Sequence, residues 1–151
     1  MTHIAPSPVA DLPLASTADE GVGLLRCAIT ESFAGRFAVV SSFGADSAML
    51  LALAAEIDAA TPVLFLDTQK HFPETLAYRD RLVRRLGLTD VRDIRPDPVE
   101  LVNNDPDGEL HRWIPDDCCA IRKVAPLEKA LAGFDAWATG RRAVRRSRPT
   151  R

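Results

Sequence analysis

Short apolar runs alternate with helix-length segments along most of this chain, and that alternation constrains the fold more than any other feature. Residues 37–42 and 62–66 are compact apolar runs of strand length, 90–94 is a weaker one and 135–139 a fourth. The segments between them have helical length and helical punctuation. In 16–35, Ser16 and Thr17 offer N-caps, Asp19 and Glu20 suit a first turn, and Leu24, Leu25, Ala28 and Ile29 make an apolar face. Residues 46–59 are strongly apolar and read as a buried helix. Pro73 stands where the next helix begins, and 74–87 carries Glu74 at its start and Arg84 and Arg85 at its end. Residues 95–116 are punctuated by Pro, Asn and Gly and read as a long loop with short helical pieces, followed by a helix over 117–132 that Gly133 closes. Strands and helices alternating at these lengths predict an α/β fold, a doubly wound, mainly parallel sheet with helices on both faces. Ligands of such sheets bind beyond the carboxyl ends of the strands. Residues 42–47, 67–70 and 140–142 each follow a strand, so one crevice built from three loops is expected.

Composition sets the limits. The 151 residues are 46% apolar, enough for one domain with a continuous core and too apolar for a disordered chain. Three cysteines do not make a disulfide scaffold. The net charge of −2 hides an asymmetry: six arginines and no acid lie in the last eleven residues, so the body is acidic. An acidic body argues against nucleic acid as a partner and requires any anion site to be local. No segment approaches the roughly 20 apolar residues of a membrane span, so no membrane is expected. Residues 1–15 hold Pro6, Pro8 and Pro13 but no Lys or Arg, and read as a flexible N-terminal arm rather than a secretory signal. The expected organisation is an arm over 1–15, a domain over 16–142 and a basic tail over 143–151, in a cytoplasmic protein with free thiols.

Four segments carry chemistry. Ser41-Ser42-Phe43-Gly44-Ala45-Asp46-Ser47 joins a strand to a helix. There Gly44 permits a tight turn, Ala45 lets the backbone approach a ligand, and Ser42 and Ser47 add hydroxyls beside the unpaired amides of a helix N-terminus. Without the lysine of a Walker A loop it reads as a distinct anion cradle. A plain strand–helix turn capped by Asp or Ser accounts for the same residues. Asp67 and Thr68, after Leu66, can hydrogen-bond a ribose or base edge, or simply cap their turn. His71 reads as a packing or surface histidine. Cys118 and Cys119 can be inert core thiols, a strained vicinal disulfide or metal ligands, whereas Cys27, among Leu24, Leu25 and Ala28, reads as a core thiol. Arg141 and Arg142 can make paired hydrogen bonds to phosphate or sulfate oxygens, with Gly140 allowing close approach. The arginines of 145–151 read as a solvated tail.

Together these segments make the chain recognisable. SSFGADSAMLL resembles the modified PP-loop of the adenylyl-sulfate and phosphoadenylyl-sulfate reductases, relatives of the ATP pyrophosphatases. The latter carry SGGxDS, and Phe43 stands at one of those glycine positions, which argues against an ATP-type pyrophosphate site. LDT…HFPET at 66–75, CCxxRKxxPL at 118–127 and DAWxTGRR at 135–142 are similar to further elements of the reductases, in the same order over roughly 16–142. The resemblance implies a fold like the PP-loop adenine-nucleotide alpha-hydrolases. It implies a substrate site of Ser41, Ser42, Phe43, Gly44, Ala45, Asp46, Ser47, Leu66, Asp67, Thr68, Lys123, Gly140, Arg141 and Arg142. It also implies that Cys118 and Cys119 are two ligands of a 4Fe-4S cluster, with Lys123 offsetting the negative charge of the cluster and of sulfate. In that family the cluster cysteines accompany adenylyl sulfate rather than its 3′-phosphorylated form as substrate.

The implied activity is thioredoxin-dependent reduction of adenylyl sulfate to sulfite and AMP in assimilatory sulfate reduction. A cysteine thiolate attacks the sulfur, AMP leaves, and a thioredoxin or glutaredoxin dithiol releases sulfite from the S-sulfonated cysteine. The family pattern also includes a second cysteine pair, CxxC, and a C-terminal nucleophile in an ECG-type motif, neither of which occurs here. The chain therefore reads as C-terminally incomplete, with no catalytic residue of its own. Three rival readings remain at this stage: a phosphoadenylyl-sulfate reductase, an ATP-pyrophosphatase-type PP-loop enzyme, and a non-catalytic nucleotide-binding remnant. Homo-oligomer formation is left open.

Overall fold

The computed structural model describes residues 18–140; the arm over 1–15 and the tail over 143–151 fall outside them. Strands β1 (Phe37–Ser41), β2 (Val63–Leu66), β3 (Val91–Ile94) and β4 (Ala136–Thr139) form one sheet in the order β3-β2-β1-β4, with every pairing parallel. The chain steps outward from β1 through β2 to β3, then returns to lay β4 against the other side of β1. This reversal is the doubly wound arrangement expected from the sequence, and it puts the topological switch between β1 and β4.

Alternation along the strands divides the core in two. On one face Phe37, Val39, Val63 and Phe65 pack with Ala28, Ile29, Leu51, Ala54 and Leu88. Those partners come from the first layer of helices, except Leu88, which follows the last of them. α1 (Ala18–Cys27) widens into a π-helical turn over Ala28–Ser32, and α2 (Ala45–Ile57) and α3 (Pro73–Leu86) follow in the β1–β2 and β2–β3 crossovers. On the other face Ala38, Val40 and Leu64 meet Leu127, Ala130 and Leu131 of α7 (Ala125–Leu131) and Phe134. All five residues of β1 are buried because it is covered on both faces, which is why 37–42 reads as an unbroken apolar run. β3 reads weakly because it is an edge strand: Arg92 pairs with Asp90 and Asp93 with Arg79.

Three local expectations are revised. Leu51 and Ala54 of α2 are fully buried, but Met49 is exposed, so the helix buries one stripe rather than its whole apolar run. Cys27 is half-buried, its sulfur 3.4 Å from Ser32 Oγ, and belongs to the surface of α1 rather than the core. The helix expected over 117–132 is interrupted. α6 (Pro115–Cys119) passes through a π-helical turn over Ala120–Val124 before α7, and the Ala125 amide donates to the Ala120 carbonyl five residues back. Pro126 has no amide to give the Arg122 carbonyl, so the regular ladder fails at that point. The wider turn also keeps Cys118, Arg122 and Pro126, spaced four apart, on one buried line.

The loop over 95–116 holds α4 (Pro98–Asn104), capped by Asp97, and α5 (Leu110–Trp113). Its anchor is an ion pair that the sequence reading did not single out. Arg122, whose side chain is 5% exposed, donates from Nε (3.0 Å) and Nη2 (2.5 Å) to Asp105 Oδ2, whose carboxylate is 1% exposed. Arg122 Nη1 donates to the Thr68 carbonyl at 2.9 Å, and Asp105 Oδ1 accepts the Leu110 amide at 2.9 Å. Burial alone raises the Asp105 carboxyl, but the Leu110 amide and the Arg122 guanidinium outweigh it and hold the group below its ordinary 3.8.

Arg122→Met should cost about 3–5 kcal/mol in chemical denaturation, because it strands a buried carboxylate. A depressed carboxyl contributes stability that is full above its unfolded value and is lost as pH falls through the folded one. Stability should therefore drop on acidification below about pH 4, and Asp105→Asn, although less stable throughout, should show a shallower fall between pH 5 and 3. Phe65→Ala, which removes a fully buried ring, should cost about 3–5 kcal/mol by the same measurement.

Candidate functional site at the carboxyl ends of the strands

The loop leaving β1 is shaped by a residue other than the expected glycine. Phe43 takes φ +56°, whereas Gly44 sits at φ −73°, ψ 173°, a conformation open to any residue. A left-handed conformation costs a bulky L-residue on the order of 1–2 kcal/mol, and two contacts hold it. The Phe43 amide donates to Ser41 Oγ at 3.0 Å, and the Phe43 ring, 1% exposed, packs edge-on against Phe65 with centroids 5.6 Å apart. Ser41 and Phe43 therefore face inward, and their side chains build the loop rather than line its surface. Ser42, Gly44, Ala45 and Asp46 are exposed, and Ser47 is buried, its amide bonded to the Gly44 carbonyl at 3.0 Å. No side chain caps the N-terminus of α2. The positive end of that helix carries the exposed Asp46 in its first turn, and lies at the carboxyl end of β1.

Beside it, the loop leaving β2 is held by side chains. Asp67 Oδ1 accepts the Gln69 amide at 3.0 Å, in a turn where Gln69 takes φ +61°, and Oδ2 accepts Arg95 Nε at 3.0 Å from the end of β3. Thr68 is buried, and its carbonyl is the one that Arg122 grips. The half-buried Leu66 offers its carbonyl to His71 Nε2 at 2.9 Å, and the His71 ring stacks on Phe65. His71 is thus a packing histidine, as its sequence context suggested.

β4 delivers the third loop at close quarters. A Cβ on Gly140 would lie 2.8 Å from both the Asp46 carbonyl oxygen and Ser47 Cα. No side chain fits there, because at Gly140 the end of β4 packs directly on the first turn of α2. Residues 42–47, residues 67–70 and Gly140 therefore lie at the carboxyl ends of the neighbouring strands β1, β2 and β4, around the switch point. Arg141 and Arg142 lie outside the described residues. Lys123 is exposed on the π turn whose Arg122 points inward, so the segment that carries it is fastened to the Thr68 loop. Sequence reasoning chose Lys123 from the Arg122-Lys123 pair because its charge suits an anion; only burial reveals that Arg122 is the structural half. Asp105 and Arg95, in punctuated loop sequence, gave no signal of their own.

The cysteine pair lies at the end of α6, with Cys118 buried and Cys119 half-buried, both as free thiols. A 4Fe-4S cluster takes four thiolates. The chain has three cysteines, and among the described residues no three His, Cys, Asp or Glu side chains converge. The residues present do not fit a complete cluster. No helix among the described residues is long and apolar enough to cross a membrane.

The sequence profile of the phosphoadenosine phosphosulfate reductase domain matches residues 36–150. The adenosine 5′-phosphosulfate reductase of Mesorhizobium japonicum is 54% identical over 112 residues, covering 74% of this chain and 44% of that protein. The enzyme of the same name from Streptomyces coelicolor is 44% identical over 123 residues, 79% of this chain and 49% of its own. The phosphoadenosine 5′-phosphosulfate reductase of Gloeobacter violaceus is 40% identical over 120 residues, with the same two shares. This chain thus spans about half the length of the curated relatives it matches. Among solved structures, the phosphoadenylyl-sulfate reductase of Candida auris, a phosphate complex, superposes with a TM-score of 0.59 at 20% identity, over 86% of this chain and 71% of that one, a likeness of fold. The fold, the order of the loops and the sequence matches agree: this chain belongs to the phosphoadenosine phosphosulfate reductase domain family.

Proposed function

We propose that this chain forms the nucleotide-binding part of an adenylyl-sulfate reductase, serving thioredoxin-dependent reduction of adenylyl sulfate to sulfite and AMP in sulfate assimilation. The observation that carries the reading is the position of Gly140, at the end of β4, pressed onto the first turn of α2 beside the β1 and β2 loops at the switch point. In this reading the α2 amides and Ser42 bind the phosphosulfate, Asp67, one strand away, binds the ribose, and Lys123 supplies a cation together with Arg141 and Arg142, which lie outside the described residues. Adenylyl sulfate is favoured over its 3′-phosphorylated form by the Cys118-Cys119 segment and by the names of the relatives from Mesorhizobium japonicum and Streptomyces coelicolor.

In the proposed reaction a thiolate attacks the sulfur, the S–O bond to the phosphate breaks, and AMP leaves with the electron pair. A dithiol of the thioredoxin or glutaredoxin type then attacks the enzyme sulfur of the S-sulfocysteine, sulfite departs, and the resulting mixed disulfide resolves to the oxidised dithiol. The part assigned to this chain is binding and charge stabilisation of the leaving phosphate. The attacking thiolate is assigned to none of its cysteines: Cys118 is buried, Cys119 is its neighbour in the same helix, and Cys27 lies on α1. No step is routed through a cluster. A reducing, cytoplasmic setting goes with this reading, since it keeps thiols free.

Isothermal titration should show AMP and adenylyl sulfate binding to this chain. Ser42→Ala should weaken AMP by roughly fivefold, the worth of one hydrogen bond of about 1 kcal/mol. Gly140→Ala, which must push β4 off α2, should weaken it by at least about tenfold, or 1.4 kcal/mol. Absence of AMP binding overturns the proposal, and cleavage of ATP to AMP and pyrophosphate would transfer the chain to the ATP-using branch.

A further inference from the structure

We infer that Arg122 is a positioning residue that couples the cysteine segment to the nucleotide crevice, so that occupancy of the crevice is felt at Cys118 and Cys119. The inference rests on the nucleotide reading of that crevice and goes beyond it. Arg122 lies on the π turn directly after the two cysteines, and its guanidinium spans two other segments. One bond goes to the Thr68 carbonyl, in the loop that Asp67 opens, and two go to Asp105, whose other oxygen fixes the Leu110 amide. Lys70 closes the figure from the far end of the same loop, donating to the Gly108 carbonyl at 2.6 Å. The 67–70 loop, the 105–110 turn and the cysteine segment are thereby tied into one unit.

Two features make this a coupling device rather than only a brace. The guanidinium is desolvated, so it cannot give up Thr68 to water without leaving donors unsatisfied. A shift of the Thr68 backbone on nucleotide binding must therefore move Arg122 or break its bonds. The π turn also points Arg122 inward and leaves its neighbour Lys123 exposed, so a movement of Arg122 re-aims Lys123. Coupling of this kind is reciprocal: whatever orders the cysteine segment also tightens nucleotide binding.

The test combines titration of AMP with hydrogen exchange of the backbone, with and without AMP. In the wild-type chain AMP should slow exchange both at 42–47 and at 118–126. In Arg122→Lys, which keeps the charge but not the three-way geometry, AMP affinity should fall about tenfold, and AMP should still slow exchange at 42–47 but no longer at 118–126. A merely structural role would raise exchange at 118–126 equally with and without AMP. If Arg122→Lys fails to fold, Arg122→Met with Asp105→Leu removes both charges together and should show the same loss of AMP-dependent protection. Wild-type affinity and protection in a folded variant overturn the inference, as does AMP binding to the wild type that leaves 118–126 unchanged. Failure of AMP to affect even 42–47 in the wild type overturns the nucleotide reading itself, and the coupling with it.

Discussion

The buried pair between Arg122 and Asp105 is the constraint on which the second half of this structure depends. Between β3 and β4 the chain makes a long excursion through short helices, α4 having seven residues, α5 four and α6 five. Helices of that length are not stable by propensity, so tertiary fastening must hold them. The guanidinium provides it by joining the excursion to the end of β2 rather than merely to itself. A buried ion pair is a poor source of net stability, because desolvation offsets most of the attraction. Its value here is geometric: both ends are fixed by several hydrogen bonds, so the three segments are held in one arrangement.

The first half is held differently, by apolar packing. β1 and β2 are buried on both faces, and the two residue sets that alternate along them feed two separate cores. The strand order then decides where chemistry can occur. Parallel strands present their carboxyl ends together, and reversal at β1 leaves the β1 and β4 loops unseparated by a crossover helix. Gly140 is small because two backbones meet there, the end of β4 and the first turn of α2.

Much of this was legible in the sequence. The four strands, the α1, α2 and α3 helices and the doubly wound order followed from apolar alternation and from Pro73, Glu74, Arg84 and Arg85 as helix-end signals. The placement of residues 42–47, residues 67–70 and Gly140 at the carboxyl ends of their strands followed from where the informative segments fall. What could not be read were features set by tertiary context. The π turn arises because Pro126 denies an amide to Arg122 and because three residues spaced by four are buried together, and neither is visible in helical periodicity. The Arg122–Asp105 pair joins residues seventeen apart, one in a segment that reads as helix and the other in a stretch that reads as loop. Arg122 and Lys123 are adjacent cations, indistinguishable until one is seen to be buried.

Phe43 gives the sharpest contrast between composition and conformation. A loop written Ser-Phe-Gly-Ala invites the conclusion that glycine makes the turn, yet Gly44 takes an ordinary extended conformation and Phe43 the left-handed one. The physical reason is that the two demands on Phe43 are met by one geometry. Turning the backbone left-handed places its amide on Ser41 Oγ and, in the same movement, drives its ring between the sheet and α2 against Phe65. Burying a phenylalanine side chain is worth roughly 1.5–3 kcal/mol, which exceeds the backbone cost. A glycine at this position would relieve the strain but remove the anchor, leaving a loop free to sample other shapes. The aromatic residue thus fixes the turn, and with it the exposed Ser42 before it and Gly44 and Ala45 after it.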